Sequence, residues 1–137
     1  ILMGKEVFID SNIFLEIFLK DPKAEECKKL LKSMQENNEQ SITTDFAIYS
    51  CFIIIHNNLK ETKFVRNAMI FFNFYNNLRV LRPSFDDMYR AIEIMENSQL
   101  DFDDSLVVAC MENNNIKKIA SLDKHFDKVK GIERIKL

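Results

Sequence analysis

Val7-Phe8-Ile9-Asp10-Ser11-Asn12 sets a short β-prone run directly against an acid, a hydroxyl and an amide. Behind it Ile13, Phe14, Ile17 and Phe18 recur at helical spacing. The stretch reads as a strand that delivers Asp10 to its carboxyl end and passes the chain to a helix. The same pattern returns late in the chain, where Ile119-Ala120-Ser121-Leu122-Asp123 reads as a second strand ending in an acid. A short turn of helix around His125 and Phe126 and a closing strand near Ile132 to Ile135 follow it.

Between these ends, strand and helix signals alternate. Asp21-Pro22 has the form of an N-cap with proline at the first helical position, and Ala24, Cys27, Leu30, Leu31 and Met34 form an apolar stripe behind it, running to about Asn37. Ser41-Ile42-Thr43 is a brief strand. Thr44 or Asp45 then caps a helix from Phe46 to about Asn58 that is apolar all round, the mark of a buried helix. Thr62 opens another helix reaching about Asn77, and its Phe71-Phe72-Asn73-Phe74-Tyr75 run exceeds a single stripe, so core packing or a dimer interface must absorb it. Val80-Leu81 is a further strand. Ser84 and Asp87 stand at capping-box spacing ahead of a helix that should turn Met88, Ile92 and Met95 inward. Asp101-Phe102-Asp103-Asp104 precedes a helix carrying Leu106 to Met111.

Strands alternating with helices require crossovers, so the expected fold is α/β, a three-layer α/β/α sandwich around a mainly parallel sheet of four or five short strands. Composition agrees. The chain has 137 residues, 47% hydrophobic and 29% charged, enough apolar material for one core, and only two glycines and two prolines, too few for the tight turns of an all-β fold. Ile1 and Leu2, ahead of Met3, carry no weight in this. Three widely spaced cysteines, Cys27, Cys51 and Cys110, show no C-x-x-C pattern, which argues against a disulfide framework or zinc knuckle and fits a reducing cytoplasm. No apolar run approaches a membrane span, and no signal peptide is visible. A formal charge of -2 gives no overall positive field, so a polyanion partner would need a local patch.

In an open parallel sheet, functional groups gather beyond the carboxyl ends of the strands. Asp10 and Asp123 fall there, Asp101 and Asp104 share a helix face, and Asp127 lies four residues beyond Asp123. Two carboxylates about 4 Å apart repel by roughly 4 kcal/mol at an effective dielectric near 20. A crevice holding several therefore calls for a cation. Oxygen donors without paired His or Cys favour Mg²⁺ or Mn²⁺ over zinc, and the chemistry implied is phosphodiester hydrolysis. Each acid also has a plainer role: Asp101, Asp103 and Asp104 suit a helix start, and Asp10 suits a turn after a strand.

Set side by side, these segments resemble the PIN-domain family, which includes VapC-like toxins of toxin-antitoxin pairs and RNA-processing ribonucleases. The resemblance spans essentially the whole chain and implies one PIN-like domain over residues 1–137. Val7 to Asn12 is similar to the family's opening strand and first metal-binding acid. Leu100-Asp101-Phe102-Asp103-Asp104-Ser105-Leu106 is similar to its central motif, with Asp104 as principal ligand. Ala120-Ser121-Leu122-Asp123-Lys124-His125-Phe126 is similar to its last motif, giving Asp123 the final acid and Ser121 the nearby hydroxyl. The resemblance implies catalysis by Asp10, Asp104 and Asp123 around Mg²⁺ or Mn²⁺, with Asp101, Asp127 and Asp45 as further candidate ligands and Asn12, Ser121 and Lys124 as supporting or substrate contacts. It implies RNA as substrate, cut to 5′-phosphate and 3′-hydroxyl ends, and an antitoxin protein and a second copy of the chain as partners.

One departure stands out. Family members carry a Glu in the helix after the second strand, about where Ser50 or Cys51 stands, and Thr44 to Phe52 contains none. Asp45 is either the N-cap of that helix or a substitute for the missing acid. Two functions therefore stay open: a metal-dependent endoribonuclease, or a degenerate domain that binds RNA or a protein without cutting. A phosphoaspartate or receiver-like enzyme fits less well, since it would want an acid where Asn12 stands or a paired acid after the first strand. Lys20, Lys117, Lys124 and Lys128 can guide RNA or be solvated surface, and His125 is a phosphate contact or a turn residue. Tyr49 and Phe126 read as core rather than base-stacking residues, and His56 as a packed residue ending its helix.

Overall fold

Side-chain alternation along the strands decides the layering. In the computed structural model, which describes residues 5–137, the strands are β1 (Glu6–Ile9), β2 (Gln40–Thr44), β3 (Leu78–Leu81), β4 (Lys118–Ala120) and β5 (Glu133–Ile135). The chain start at Ile1 to Met3 lies outside the described residues. All pairings are parallel, in the order β3-β2-β1-β4-β5. Phe8 stands in register with Ile42 on one side and Ile119 on the other, and this row faces one helical layer. Val7, Ile9 and Ala120 face the opposite layer, as the period of two along a strand requires.

Among the described residues, six helices cover the sheet: α1 (Ser11–Phe18), α2 (Ala24–Glu36), α3 (Asp45–Leu59), α4 (Thr62–Asn73), α5 (Phe85–Glu96) and α6 (Phe102–Asn113). Ile13, Phe14, Cys27, Leu31, Met34, Cys51, Ile55, Ala68 and Phe72 bring α1 to α4 onto the Val7 and Ile9 face. Ala91, Ile94 and the run Leu106 to Met111 bring α5 and α6 onto the Phe8 face. This is the expected three-layer α/β/α sandwich. From β1 the chain builds outward through β2 and β3, then returns by α5 and α6 to place β4 against the other side of β1. Strand order reverses between β1 and β4, so the ligand crevice of such a sheet opens beyond Ile9 and Ala120.

Several local expectations change. Asp21-Pro22 does not cap α2: the Asp21 carbonyl accepts from the Ala24 N–H, and Lys23 holds the cap position with its N–H given to Glu16. On α5 the inward face is Asp87, Ala91 and Ile94, while Ile92 and Met95 are exposed; the carboxylate of Asp87 is tied back to Ser84 by the capping box, and small Ala91 lets α6 approach. The apolar helix α3 is not buried all round, since Tyr49 and Ile53 face solvent, and His56 is exposed as well. The aromatic run ends α4 early, at Asn73. Phe71, Phe72 and Tyr75 pack edge-on around Phe14 and Phe18, leaving Asn73 and Phe74 of that run outside. Phe126 is core.

The cysteines are free and buried, and burial pushes the thiols up to about 11 for Cys27 and about 12 for Cys51 and Cys110. Among the described residues, no helix is long and apolar enough to cross a membrane. Phe14 joins α1 to both α4 and the aromatic cluster, so Phe14→Ala should lower unfolding free energy by about 3–5 kcal/mol. Urea denaturation measures this, and a loss under about 1 kcal/mol would mean that the α1 to α4 layer is not held by that cluster.

Candidate metal centre

The end of β1 and the end of β4 are tied together through one carboxylate. Asp10 follows Ile9, and its N–H still continues the ladder to the Ala120 carbonyl at 2.9 Å. Its side chain then caps α1: Oδ1 accepts from the Ser11 N–H at 2.8 Å. Oδ2 accepts from Ser121 Oγ at 2.7 Å and from Asn12 Nδ2 at 3.2 Å. Asn12 reaches further across, its Oδ1 accepting from the Leu122 N–H at 3.1 Å, while the Asp123 N–H donates to Ser121 Oγ at 3.0 Å. Asp10, Asn12 and Ser121 thus form a network that sets the path of the chain from Ser121 to Asp123. Burial raises the Asp10 pKa despite these donors, with the Asp123 and Asp103 charges pushing the same way.

Asp104 comes to the same crevice from the first turn of α6, where Asp101 is the N-cap and accepts from the Asp104 N–H at 3.3 Å. Its pKa is raised to about 7, first by burial and then by the charges of Asp101, Asp123, Asp10 and Asp103. The interaction between the neighbouring carboxyls of Asp101 and Asp103 holds Asp101 below and Asp103 above the usual range, with burial adding to the rise at Asp103. Asp123 begins the 3₁₀ turn Lys124–Lys128, its Oδ1 accepting from the His125 N–H at 2.9 Å. The His125 ring turns back over the acids, with Nδ1 3.0 Å from Asp123 Oδ1 and 3.8 Å from Asp104 Oδ2.

Two expected candidates are engaged elsewhere. Asp45 caps no helix end, because Thr44 holds that position; its Oδ1 accepts from the Phe46 N–H and its Oδ2 pairs with Arg82 at 3.4 Å. Its carboxylate is thus engaged by Arg82 and by the first turn of its own helix. About where the missing Glu is expected, at Ser50 or Cys51, Cys51 is buried, its Sγ directed to the Ser11 carbonyl and close enough to Asp10 to feel its charge. Asp127 forms a two-pronged pair with Arg134, at 2.8 and 3.1 Å, which holds its carboxyl below the usual range. Lys124 is exposed and its charge acts on Asp127.

Sequence reasoning missed three contributions. His125 is exposed and stands against two acids. Asp103 reaches the field of Asp10 although Asp101 was the acid expected on that face. Arg134 lies under the site, donating from Nη1 to the Ser121 carbonyl at 3.1 Å, so β5 braces the loop that carries Asp123. Only the last had no local signal, because its partners lie seven and thirteen residues back along the chain.

The donor set fits a hard divalent ion. Asp10, Asp104 and Asp123 offer anionic oxygens, and among the described residues no lysine or arginine pairs with any of them. Asp104, Asp123 and His125 also present ligand atoms that all lie within 4.8 Å of one another. Burial first and the neighbouring negative charges second raise the Asp104 pKa, and a cation relieves the repulsion.

The comparisons agree with this fold. The family model of the PIN domain matches residues 7–132. Among curated proteins, none matches the sequence. Three solved structures share the architecture. The Mycobacterium tuberculosis toxin VapC20, described as cleaving the sarcin-ricin loop, superposes with a TM-score of 0.73 at 16% identity over 88% of this chain and 92% of its own. A toxin-antitoxin complex from Klebsiella pneumoniae gives 0.69 at 14% identity over 93% and 95%. VapBC2 from Rickettsia felis, bound to a DNA fragment from its promoter, gives 0.70 at 12% identity over 95% and 97%.

The crowding of acids makes a prediction about stability. The Asp104 carboxyl holds its proton to about pH 7 in the folded chain but releases it near 3.9 when unfolded. Between those values the folded state binds the extra proton, so stability falls as pH rises from about 4 to 7 and then levels. Asp104→Asn removes that loss. In EDTA, thermal melting should show the variant gaining on the parent as pH climbs from about 5 to about 8. Parallel melting at every pH would contradict the repulsion.

Proposed function

The chain belongs to the PIN domain family, and from that membership we propose that it is a metal-dependent endoribonuclease acting through Asp10, Asp104 and Asp123. What supports this is that the three carboxylates lie close enough at the switch point of the sheet to act on one another's charge, with no lysine or arginine paired to them among the described residues, and that burial and its acidic neighbours raise the Asp104 pKa to about 7. Asp10, Asp104 and Asp123 would hold Mg²⁺ or Mn²⁺, with Asp101 and Asp103 adding negative charge at the rim. A hard divalent ion bound there supplies charge neutralisation and water activation for attack on a phosphodiester.

The chain's own residues do the rest. Ser121 and Asn12 fix the Asp10 carboxylate, so little reorganisation is left when the ion arrives. Asp101 fixes the first turn of α6 and with it Asp104. Arg134 and Asp127 brace the Ser121 to Asp123 loop, a supporting role in place of ligation. Lys124, exposed beside Asp123, offers a cation to an approaching phosphate. The whole of residues 1–137 serves as one domain in this reading.

The toxin relatives in the solved structures support a toxin of a toxin-antitoxin pair, with an antitoxin protein as partner and a second copy of the chain as a further one. Exposed Tyr49, Ile53, Phe85 and Tyr89 supply apolar surface for such contacts. Free, buried thiols suit a reducing cytoplasm. A second reading, a domain that binds without cutting, draws on Cys51: a protonated thiol stands where the family carries a carboxylate, so one negative charge fewer is available to the ion.

Incubation of the chain with structured and unstructured RNA separates the two. Cleavage should require Mn²⁺ or Mg²⁺, cease in EDTA and vanish in Asp104→Asn. Ser121→Ala should weaken ion affinity or activity by about 10- to 100-fold. Cleavage that survives both EDTA and Asp104→Asn refutes the nuclease; RNA binding without cleavage at any ion concentration supports the second reading.

A further inference from the structure

The chain has two histidines, and His125 is the one set against the acids. Its position follows from the turn that carries it. Asp123 caps the 3₁₀ turn Lys124–Lys128 and accepts from the His125 N–H at 2.9 Å, while the next residue, Phe126, is fully buried and pins the turn to the core. With Phe126 facing in, the His125 ring stays at the surface and lies over the crevice. Nδ1 is 3.0 Å from Asp123 Oδ1 and 3.8 Å from Asp104 Oδ2, and ligand atoms of all three residues lie within 4.8 Å of one another. Two donors about 2.1 Å from a shared ion stand roughly 3.0 Å apart when adjacent and roughly 4.2 Å apart when opposed. Both His125 separations fall in that span. The other histidine, His56, lies on α3 and belongs to no such group among the described residues.

We propose that His125 Nδ1 is a ligand of the ion held by Asp104 and Asp123, making the site a mixed nitrogen and oxygen centre that takes a first-row transition ion in preference to Mg²⁺. The donor chemistry sets the preference. Mg²⁺ is held by anionic oxygens and keeps its waters, whereas an imidazole nitrogen is a softer donor whose affinity rises from Mn²⁺ through Co²⁺ to Ni²⁺. Cys51 bears on this from the other side of the crevice. Its buried thiol is pushed up to about 12 and stays protonated about where the family's Glu is expected, so one anionic donor fewer is on offer. That loss weakens an ion held mainly by charge, and a nitrogen donor offsets it without adding a further negative charge to crowded acids. The competing role for His125 is a hydrogen bond to Asp123 alone, which puts no nitrogen on the ion. The inference rests on the cation site of the nuclease reading and adds to it a ligand and a class of ion.

The test uses the full chain, stripped of metal and loaded with a stoichiometric amount of Mn²⁺, and reads the ion's own spectrum. Electron spin echo modulation of the bound Mn²⁺ should carry a directly coordinated nitrogen, and isotope labelling of histidine nitrogen should change that pattern. His125→Gln should remove the coupling and His56→Gln should leave it. In calorimetric titrations His125→Gln should lose at least about tenfold in Co²⁺ affinity while Mg²⁺ affinity changes by less than about threefold. If His125→Gln does not fold, the labelled parent and His56→Gln decide between them, since a histidine coupling that survives in His56→Gln comes from His125. Mn²⁺ bound without histidine nitrogen, coupling that persists in His125→Gln, or a parent that binds Mg²⁺ as tightly as Co²⁺ overturns the inference and leaves the acids' cation site standing. A parent that binds no ion removes both.

Discussion

Parallel strands must be joined by crossovers, and where those crossovers change side neither helical layer covers the strand ends. In this chain that place is the gap between β1 and β4, and it is closed by a single hydrogen-bonded network, Ser121 Oγ to Asp10 with Asn12 bridging to the Leu122 N–H. A purely structural joint there would be served by neutral groups. The chain instead buries a carboxylate at the joint and adds two more, Asp104 from α6 and Asp123 from the loop after β4. Burial and like-charge repulsion oppose charge on Asp10 and on Asp104, where the pKa is raised to about 7. Native proteins keep such like-charge clusters where a site's chemistry needs them, since local rules are broken mainly at functional positions.

The supports around the acids have the opposite character, each one satisfied. Asp101 caps α6, Asp127 is claimed by Arg134, and Arg134 in turn holds the Ser121 carbonyl from below. Rigid neighbours and uncompensated acids together describe a site prepared for a cation, with little left to reorganise. The missing Glu fits the same picture less comfortably: Cys51 packs with its Sγ toward the Ser11 carbonyl of α1 but supplies no charge, and Asp103 is a further acid whose charge acts on Asp10.

Much of this was legible because the signals are local. Val7 to Asp10 and Ile119 to Asp123 each place a β-prone run before an acid, and the layer order follows from crossover geometry once such units alternate. Ser84 and Asp87 announce their capping box within four residues. What escaped depended on partners far along the chain or on size rather than hydropathy. Asp45 is settled by Arg82, thirty-seven residues on, which no local pattern contains. The buried face of α5 turned on small Ala91 and on an aspartate hydrogen-bonded into its own cap, while larger Ile92 and Met95 suggested the wrong side. Apolar content made α3 look buried, yet a helix on the outer surface of one layer keeps a free side whatever its residues are, and Tyr49 and Ile53 lie on it.

The central claim is that Asp10, Asp104 and Asp123 form one cation site whose repulsion a divalent ion relieves. Isothermal titration of Mn²⁺ into the metal-free chain, repeated in buffers of different ionisation enthalpy, tests it most directly. One ion should bind and displace a proton near pH 6, with that release fading toward pH 8, since Asp104 titrates at about 7. Mn²⁺ binding that releases no proton at either pH, or no binding at all, would contradict the account.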